Sequence, residues 1–251
     1  MKEVSIILPI YNCENFIEET IDSIINQSFQ KWELIIVDDA STDSTLSKIE
    51  KYLKDNRIIL KKLKKNKKAG FCRNLALRQS SSIYVAFIDS DDIWKKDKLK
   101  KQIEFMNSYK LDMTYTNYTP FKEKEGVRKF KKEIIPPENF NYNLFIKKTS
   151  ICTSSMVVKR EKIGLIKFLR TKICEDYFFK CSLLKKCQKV KNLRENLTFY
   201  RISQNSLQSK KLRNLYWVWY INKRYNKMSA LENLLSLVSI SINSLKNYGF
   251  K

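Results

Sequence analysis

The sequence predicts an α/β protein built on a doubly wound, mostly parallel sheet, with a helical tail. Three observations predict it. Apolar runs alternate with stretches of helical periodicity from Val4 to Ile88. The connections between them are short, so right-handed crossovers give parallel neighbours with helices on both faces. Polar and acidic residues close run after run: Tyr11, then Asp38-Asp39, then Asp89-Ser90-Asp91-Asp92. In open α/β sheets ligands sit outside the carboxyl ends of the strands, so these residues converge although they are distant in sequence.

Each element follows from its local pattern. Val4–Ile10 is nearly continuous in apolar residues, as a strand covered on both faces requires. Phe16, Ile17, Ile21, Ile24 and Ile25 recur at helical spacing between Glu14 and Gln27. Trp32–Val37 is the second buried strand. Ser41, Thr42, Asp43 and Ser44 offer N-caps for a helix over Leu46–Leu53. Ile58–Leu63 is a shorter strand, Lys64–Lys68 a basic loop, and Gly70 opens a helix that runs through Leu77. Ile83–Ile88 is the fourth strand. Beyond it, Lys98–Met106 reads as a helix and Met113–Tyr118 as an alternating strand. Pro120–Lys148 reads as an irregular excursion on the acceptor side. Thr153–Val158 is a strand, Cys174–Lys186 a helix, and Leu197–Ile202 a last strand.

Composition narrows the chemistry. The 251 residues are 43% hydrophobic and 30% charged, enough for one large domain and an appendage. Lys and Arg number 49 against 26 Asp and Glu, a net charge of +23 that attracts polyanions. There is no histidine, which excludes Ser-His and Cys-His catalysis and histidine zinc sites. Six cysteines, none in a Cys-x-x-Cys pair, read as reduced thiols of a cytosolic protein. No signal-peptide pattern precedes the first strand, and no apolar run reaches the ~18 residues of a spanning helix. The expectation is a cytoplasmic protein, soluble or peripheral at the inner face of the membrane.

The carboxylates carry the strongest chemical signal. Asp89, Asp91 and Asp92 crowd one strand end and repel, so the fold must neutralise them, and a divalent cation does this well. Hard oxygens suit Mg²⁺ or Mn²⁺, and few protein ligands leave metal sites open for phosphate oxygens. The competing reading is a solvated turn before a helix capped by Asp97. Neither Gly-x-Gly-x-x-Gly nor a P-loop is present, and the chain has four glycines in all. A carboxylate at the end of the second strand can take ribose hydroxyls. Together these describe a nucleoside diphosphate bridged by a cation. A nucleotidyltransferase is an alternative, but its glycine-rich loop is missing. A basic nucleic-acid-binding protein is another. Trp217 and Trp219 permit it, but no nucleic-acid module is visible and the aspartates stay unexplained, so no nucleic acid is expected as a partner. Glu175-Asp176, read alone, is an acidic pair at a helix N-terminus.

The segments SIILPIYNCENFI, ELIIVDDASTD, GFCRNLAL, YVAFIDSDDIW, CTSSMVV, CEDYFF and YRISQNSLQS, in this order, resemble family-2 glycosyltransferases. These are inverting enzymes of the GT-A fold. Within the family the chain looks like the bacterial group that builds surface polysaccharide, similar to teichuronic-acid, capsule and lipopolysaccharide enzymes. The resemblance covers Val4 to Ser209, giving a catalytic domain over residues 1–209 and a tail over 210–251. It implies a nucleotide-sugar donor, UDP-linked, and a glycan or lipid-linked acceptor. Tyr11 would line the nucleoside pocket, and Asp38 and Asp39 would hold base and ribose. Arg73 would reach the nucleotide. Asp89 and Asp91 would be the metal-binding Asp-x-Asp, and Asp92 and Glu175 would belong to the substrate-binding set. Asp176 would be the catalytic base and Arg201 would face the diphosphate. Many relatives carry His two residues after that Arg; here the position is Ser203.

The tail has its own pattern. Leu212–Tyr225 interleaves Tyr216, Trp217, Trp219 and Tyr220 with Arg213, Lys223 and Arg224. Ser229 is an N-cap for Leu231–Leu245, where Leu231, Leu234, Leu235, Val238, Ile242 and Leu245 share one face. Such a segment suits an anionic membrane surface. Packing on the domain, or a homodimer through these helices, explains it as well.

Overall fold

The structure is a computed structural model that describes residues 2–171, 173–202 and 211–248. Strand β1 (Val4–Ile10) lies between β2 (Trp32–Asp38) and β4 (Tyr84–Phe87), and β3 (Ile58–Lys62) flanks β2, all parallel. Helices α1 (Ile17–Ile25), α2 (Thr45–Ile49) and α3 (Ala69–Gln79) are the crossovers. Every residue of β1, β2 and β4 is buried, as the continuous apolar runs demand. Alternate side chains serve opposite layers. Ile7, Ile35 and Phe87 join Cys72 and Ala76 of α3, while Ile6, Leu8 and Ile36 join Ile17 and Ile21 of α1. The register sets Ile10 opposite Asp38, which brings Tyr11 and Asp38-Asp39 to one level at the sheet's carboxyl edge.

The second half of the sheet is mixed. Its order is β3-β2-β1-β4-β8-β6-β9-β5. Strand β8 (Val157–Lys159) runs antiparallel to both β4 and β6 (Met113–Lys124). Strand β9 (Val190–Arg201) is parallel to β6, and β5 (Ile93–Trp94) is antiparallel to β9. The parallel half is as expected; β8 and β5, each antiparallel to its neighbours, make the rest mixed, and β6 turns back on itself through a hairpin. That hairpin corrects the reading of 120–148 as irregular. Strand β6 continues past Pro120, whose carbonyl accepts the Lys131 N–H, and β7 (Val127–Phe130) pairs back onto it. The two turn residues, Glu125 (φ 53°) and Gly126 (φ 77°), both have positive φ, the geometry of a two-residue hairpin turn.

The strand read over 153–158 is also shorter than expected. Thr153–Ser155 forms a 3₁₀ turn, and only Val157–Lys159 pairs. Helix α4 (Lys98–Ser108) lies near its predicted position, α5 (Tyr142–Phe145) is capped by Asn141, and α6 is Arg160–Ile163. Helix α7 (Glu175–Lys186) packs Phe179 against Phe168 at 3.9 Å between ring centres. The tail is a hairpin of α8 (Lys211–Arg224) and α9 (Ala230–Tyr248). It packs on the domain through Val218, Ile221, Leu237 and Ile240. Ser229 and Glu232 cap α9 reciprocally: the Ser229 N–H donates to Glu232 Oε2 (2.8 Å) and the Glu232 N–H to Ser229 Oγ (3.3 Å). All six cysteines are unpaired. Among the described residues no helix is long and apolar enough to cross a membrane.

Candidate active site

The loop after β4 holds the acidic cluster. Asp89 is half-buried and its carboxylate receives Arg73 Nη2 at 2.6 Å. The other end of that guanidinium donates to Glu175 Oε1 at 2.8 Å. Arg73 is buried, and these two carboxylates raise its pKa against the opposing effect of burial. One cation from α3 thus ties the β4 loop to the start of α7, 102 residues further along. Gly70, three residues before it, has a packing reason: a Cβ there would meet the Leu169 carbonyl oxygen at 2.5 Å and the Glu175 side chain at 3.1 Å.

The loop backbone is held from several sides. Thr20 Oγ1 donates to the Ser90 and Asp92 carbonyls at 3.1 and 3.0 Å. Asp92 is fully buried; its Oδ1 accepts the Arg201 N–H (3.0 Å) and its Oδ2 accepts from Ser154 Oγ. Burial, then Asp91 and Asp89, push the Asp92 carboxyl well above the usual range. Ser154 Oγ also accepts the Asp89 N–H at 3.0 Å. Asp91 is half-buried, and desolvation followed by the nearby Asp89 charge pushes it up to about 7. A pair of hard oxygen donors under this repulsion fits a divalent cation. Among the described residues no three His, Cys, Asp or Glu side chains converge into a closed cage.

Asp176 stands beside Glu175 at the start of α7. Its Oδ2 accepts from Thr153 Oγ1 (3.0 Å) and from Lys180 Nζ (2.7 Å), one turn along the helix. Burial raises this carboxyl, but the Lys180 charge and hydrogen bond outweigh it and bring it down to about 2. Asp176 is therefore ionised at neutral pH. Burial raises Glu175, with Arg73 opposing. Of two adjacent residues, Thr153 holds the Asp176 carboxylate, and Ser154 holds the Asp92 carboxylate and the Asp89 backbone N–H.

The nucleoside-side residues lie on the neighbouring strand ends. Tyr11 is 47% exposed and open to a ligand. Asp38 is buried and its carboxylate accepts the Ser41 N–H at 3.3 Å. Asp39 is buried too, and its two oxygens accept the N–H groups of Lys67 (2.6 Å) and Lys68 (2.8 Å). It clamps the basic loop over the strand ends. Arg201 differs from the simple expectation of an open anion hook. Its guanidinium is engaged by Glu19 (2.7 Å), by Glu123 and by the Asp91 carbonyl (2.9 Å), and it lies 4.6 Å from the centres of the Phe16 and Phe121 rings. In this state it braces the acidic loop from behind. Ser203 lies outside the described residues.

Comparison with known proteins identifies the family. The family model described as "Glycosyl transferase family 2" matches residues 5–165, which contain Tyr11, Asp38, Asp39, Arg73 and the acidic loop. The chain belongs to glycosyl transferase family 2. Over 97% of this chain and 96% of the relative, it is 36% identical to TuaG of Bacillus subtilis, named for teichuronic acid biosynthesis. It is 34% identical, over 100% of its length and 97% of the relative, to WfaP of Escherichia coli, named as a UDP-Glc:α-D-GlcNAc-diphosphoundecaprenol β-1,3-glucosyltransferase. Among solved structures it resembles residues 1–349 of S. aureus TarS in complex with UDP-GlcNAc. The TM-score is 0.75 at 21% identity, covering 97% of this chain and 73% of that one. Against a longer TarS structure it spans 43% of that chain. A mannosyltransferase from Pyrobaculum calidifontis, in complex with GDP-Man and Mn²⁺, gives 0.69 at 17% identity over 98% and 70%. The fold of this family-2 glycosyltransferase is thus GT-A.

Sequence reasoning missed Thr153, Ser154, Lys180, Glu19 and Glu123. Lys180 was readable, since an acid and a lysine at i and i+4 meet on a helix. Ser154 and Glu123 were not, because their partners are far along the chain and depend on the mixed half of the sheet.

Proposed function

We propose that this glycosyltransferase moves a sugar from a UDP-linked donor to a hydroxyl of a glycan or lipid-linked acceptor, with inversion, in the synthesis of a bacterial surface polysaccharide. The observation that carries the reading is the joining of Asp89, Arg73, Glu175 and Asp176 through two ion pairs and the Thr153-Ser154 turn at the strand ends. Relatives named for lipid-linked glucosyl transfer support the acceptor class. We read residues 1–209 as the catalytic unit and 210–251 as an appended helical hairpin.

Tyr11, Asp38 and Asp39 bind the nucleoside. Asp89 and Asp91 would hold Mg²⁺ or Mn²⁺, which when bound supplies positive charge against the diphosphate. Arg73 sits beside Asp89, aimed at the same region, and Arg201 keeps the loop in register. Asp176 is ionised and fixed through Oδ2, which leaves Oδ1 for the acceptor hydroxyl. It takes the acceptor proton as the oxygen attacks the anomeric carbon on the face opposite the leaving nucleotide. That displacement reverses the anomeric configuration.

Thermal shift against a panel of nucleotide-sugars, with and without Mn²⁺, tests the donor. A ligand that binds only the folded state stabilises it by RT ln(1 + [L]/Kd). A metal-dependent shift with one UDP-sugar, lost in Asp91→Asn, is expected. No shift with any nucleotide-sugar would sink the reading. Proton NMR of the first product gives the anomeric configuration and checks inversion separately.

A further inference from the structure

Helix α9 is amphipathic in the wrong sense for a helix that only packs on its own domain. Its inward face carries Asn233 and Ser236. Asn222 Nδ2 of α8 donates to Asn233 Oδ1 (3.0 Å), and Ser236 Oγ donates to the Ile146 carbonyl (2.6 Å). Leu237 and Ile240 supply the apolar contacts on that side. The outward face is richer in hydrocarbon. Leu231 is 67% exposed, and Leu234, Leu235, Val238 and Ile242 are between 47 and 55% exposed. Their spacing is i, i+3, i+4, i+7 and i+11, a single stripe directly opposite Asn233 and Ser236. Half-buried Leu245 extends it to about 21 Å at 1.5 Å per residue. A stripe of this length is far more than the scattered surface leucines of a soluble domain.

The charge around the stripe says what covers it. Exposed Lys223, Arg224 and Lys227 cluster where the chain turns into α9, and exposed Lys246 stands at its far end. The one acid between Lys223 and Lys246 is Glu232, whose carboxylate is held in the cap by Ser229. Tyr225, beside the basic cluster, is 40% exposed. Two copies of a chain of charge +23 that met through these ends would bring cation to cation. An acidic bilayer offers the complement: anionic headgroups for the lysines, an interfacial level for the tyrosine and acyl chains for the stripe.

We propose that the outward face of α9, from Leu231 to Leu245, with Lys223, Arg224, Lys227 and Lys246 at its ends, docks the enzyme on an anionic membrane surface. The helix lies in the plane of the interface, since it cannot span. The docking is separate from the donor chemistry proposed above, so either can fail without the other.

Flotation of the full chain with phosphatidylcholine vesicles, with and without about 30 mol% phosphatidylglycerol, tests it. The parent chain is expected to float with the acidic vesicles only, and less as salt rises toward ~0.5 M. Combined Leu234→Ser, Leu235→Ser and Val238→Ser is expected to cut the partition coefficient at least about a hundredfold with unchanged thermal unfolding. Combined Lys223→Glu, Arg224→Glu and Lys227→Glu is expected to abolish the preference for acidic lipid. As a gain-of-signal check, Leu235→Trp is expected to show quenching by brominated acyl chains beyond that of the parent. Equal flotation of parent and serine variant, or no added quenching, overturns the proposal. So does a parent that ignores vesicles but forms a dimer that the serine variant loses, which would make the face a subunit contact.

Discussion

Asp176 shows how a side chain's neighbours set its chemistry. Lys180 and Thr153 hold one carboxylate oxygen and keep the group ionised far below neutral pH. Asp176→Asn keeps the shape and removes the proposed base, so donor-induced thermal shifts are expected to persist while turnover falls by ~10²–10⁴. Initial rates over a donor titration check it. The same depression has a stability consequence. The folded carboxyl titrates at about 2 and the unfolded one near 3.8, so the unfolded chain binds the proton more readily. The stabilisation is present above the unfolded value and is lost as pH falls from there toward 2. Lys180→Met is expected to flatten that acid limb in urea unfolding measured against pH. Arg73 is the opposite case, a buried cation whose worth lies in what it separates. Without it Asp89 and Glu175 are left partly buried and uncompensated. Arg73→Met is expected to cost ~3–5 kcal/mol, read as a lowered urea midpoint.

Elements were legible where one periodicity governed them and illegible where pairing partners decided. Strands β1, β2 and β4 are apolar runs with both faces covered, and their ends predicted the converging acids. Strand β5 is two residues long, too short to carry a period, and only the end of the stretch read as a strand over 153–158 pairs, as the three residues of β8. They exist because β9 and β4 offer free edges. Pro120 began the stretch read as irregular, yet β6 passes through it, and the signal for the hairpin was Gly126 between charged strand residues. The site divides in the same way. Asp89, Asp91 and Asp176 could be named from their motifs, whereas the brace of Arg201 with Glu19 and Glu123 needs α1, β6 and β9 side by side. Helix α4 adds a test of its own. Lys98 is fully buried over the Trp94 ring, with Nζ donating to Gln102 Oε1 at 2.7 Å. Burial lowers it from 10.5 to about 7. Between those values the unfolded chain holds a proton the fold refuses, so this group makes stability rise as pH climbs through the window. Lys98→Met is expected to remove that slope and to stabilise by ~1–3 kcal/mol at neutral pH, measured as a difference between paired urea curves. At the start of α3, Gly70→Ala must push back the Leu169 carbonyl, and a loss of ~1–3 kcal/mol is expected in the same assay.

At the scale of the molecule, charge and seam matter most. A net +23 on 251 residues is self-repulsive, and the salt bridges of the fold offset part of it. Raising NaCl from low concentration to ~0.5 M is expected to raise Tm, because screening relieves the compact state more than the expanded one. A lowered Tm would mean that the ion pairs outweigh the repulsion. The two halves of the sheet have different tasks, the parallel half holding the acidic loop and the mixed half supporting the start of α7. They meet at Thr153-Ser154, where one residue grips Asp176 and the next grips Asp89 and Asp92. In the proposed mechanism that dipeptide acts as a gauge block between the donor-side and acceptor-side carboxylates. A one-residue slip in this 3₁₀ turn would shift one group against the other by ~2 Å, when a catalytic geometry tolerates ~0.5 Å. Surface loops elsewhere can lengthen without consequence for timing, but an insertion between these two residues would leave both hands of the enzyme intact and out of reach of each other.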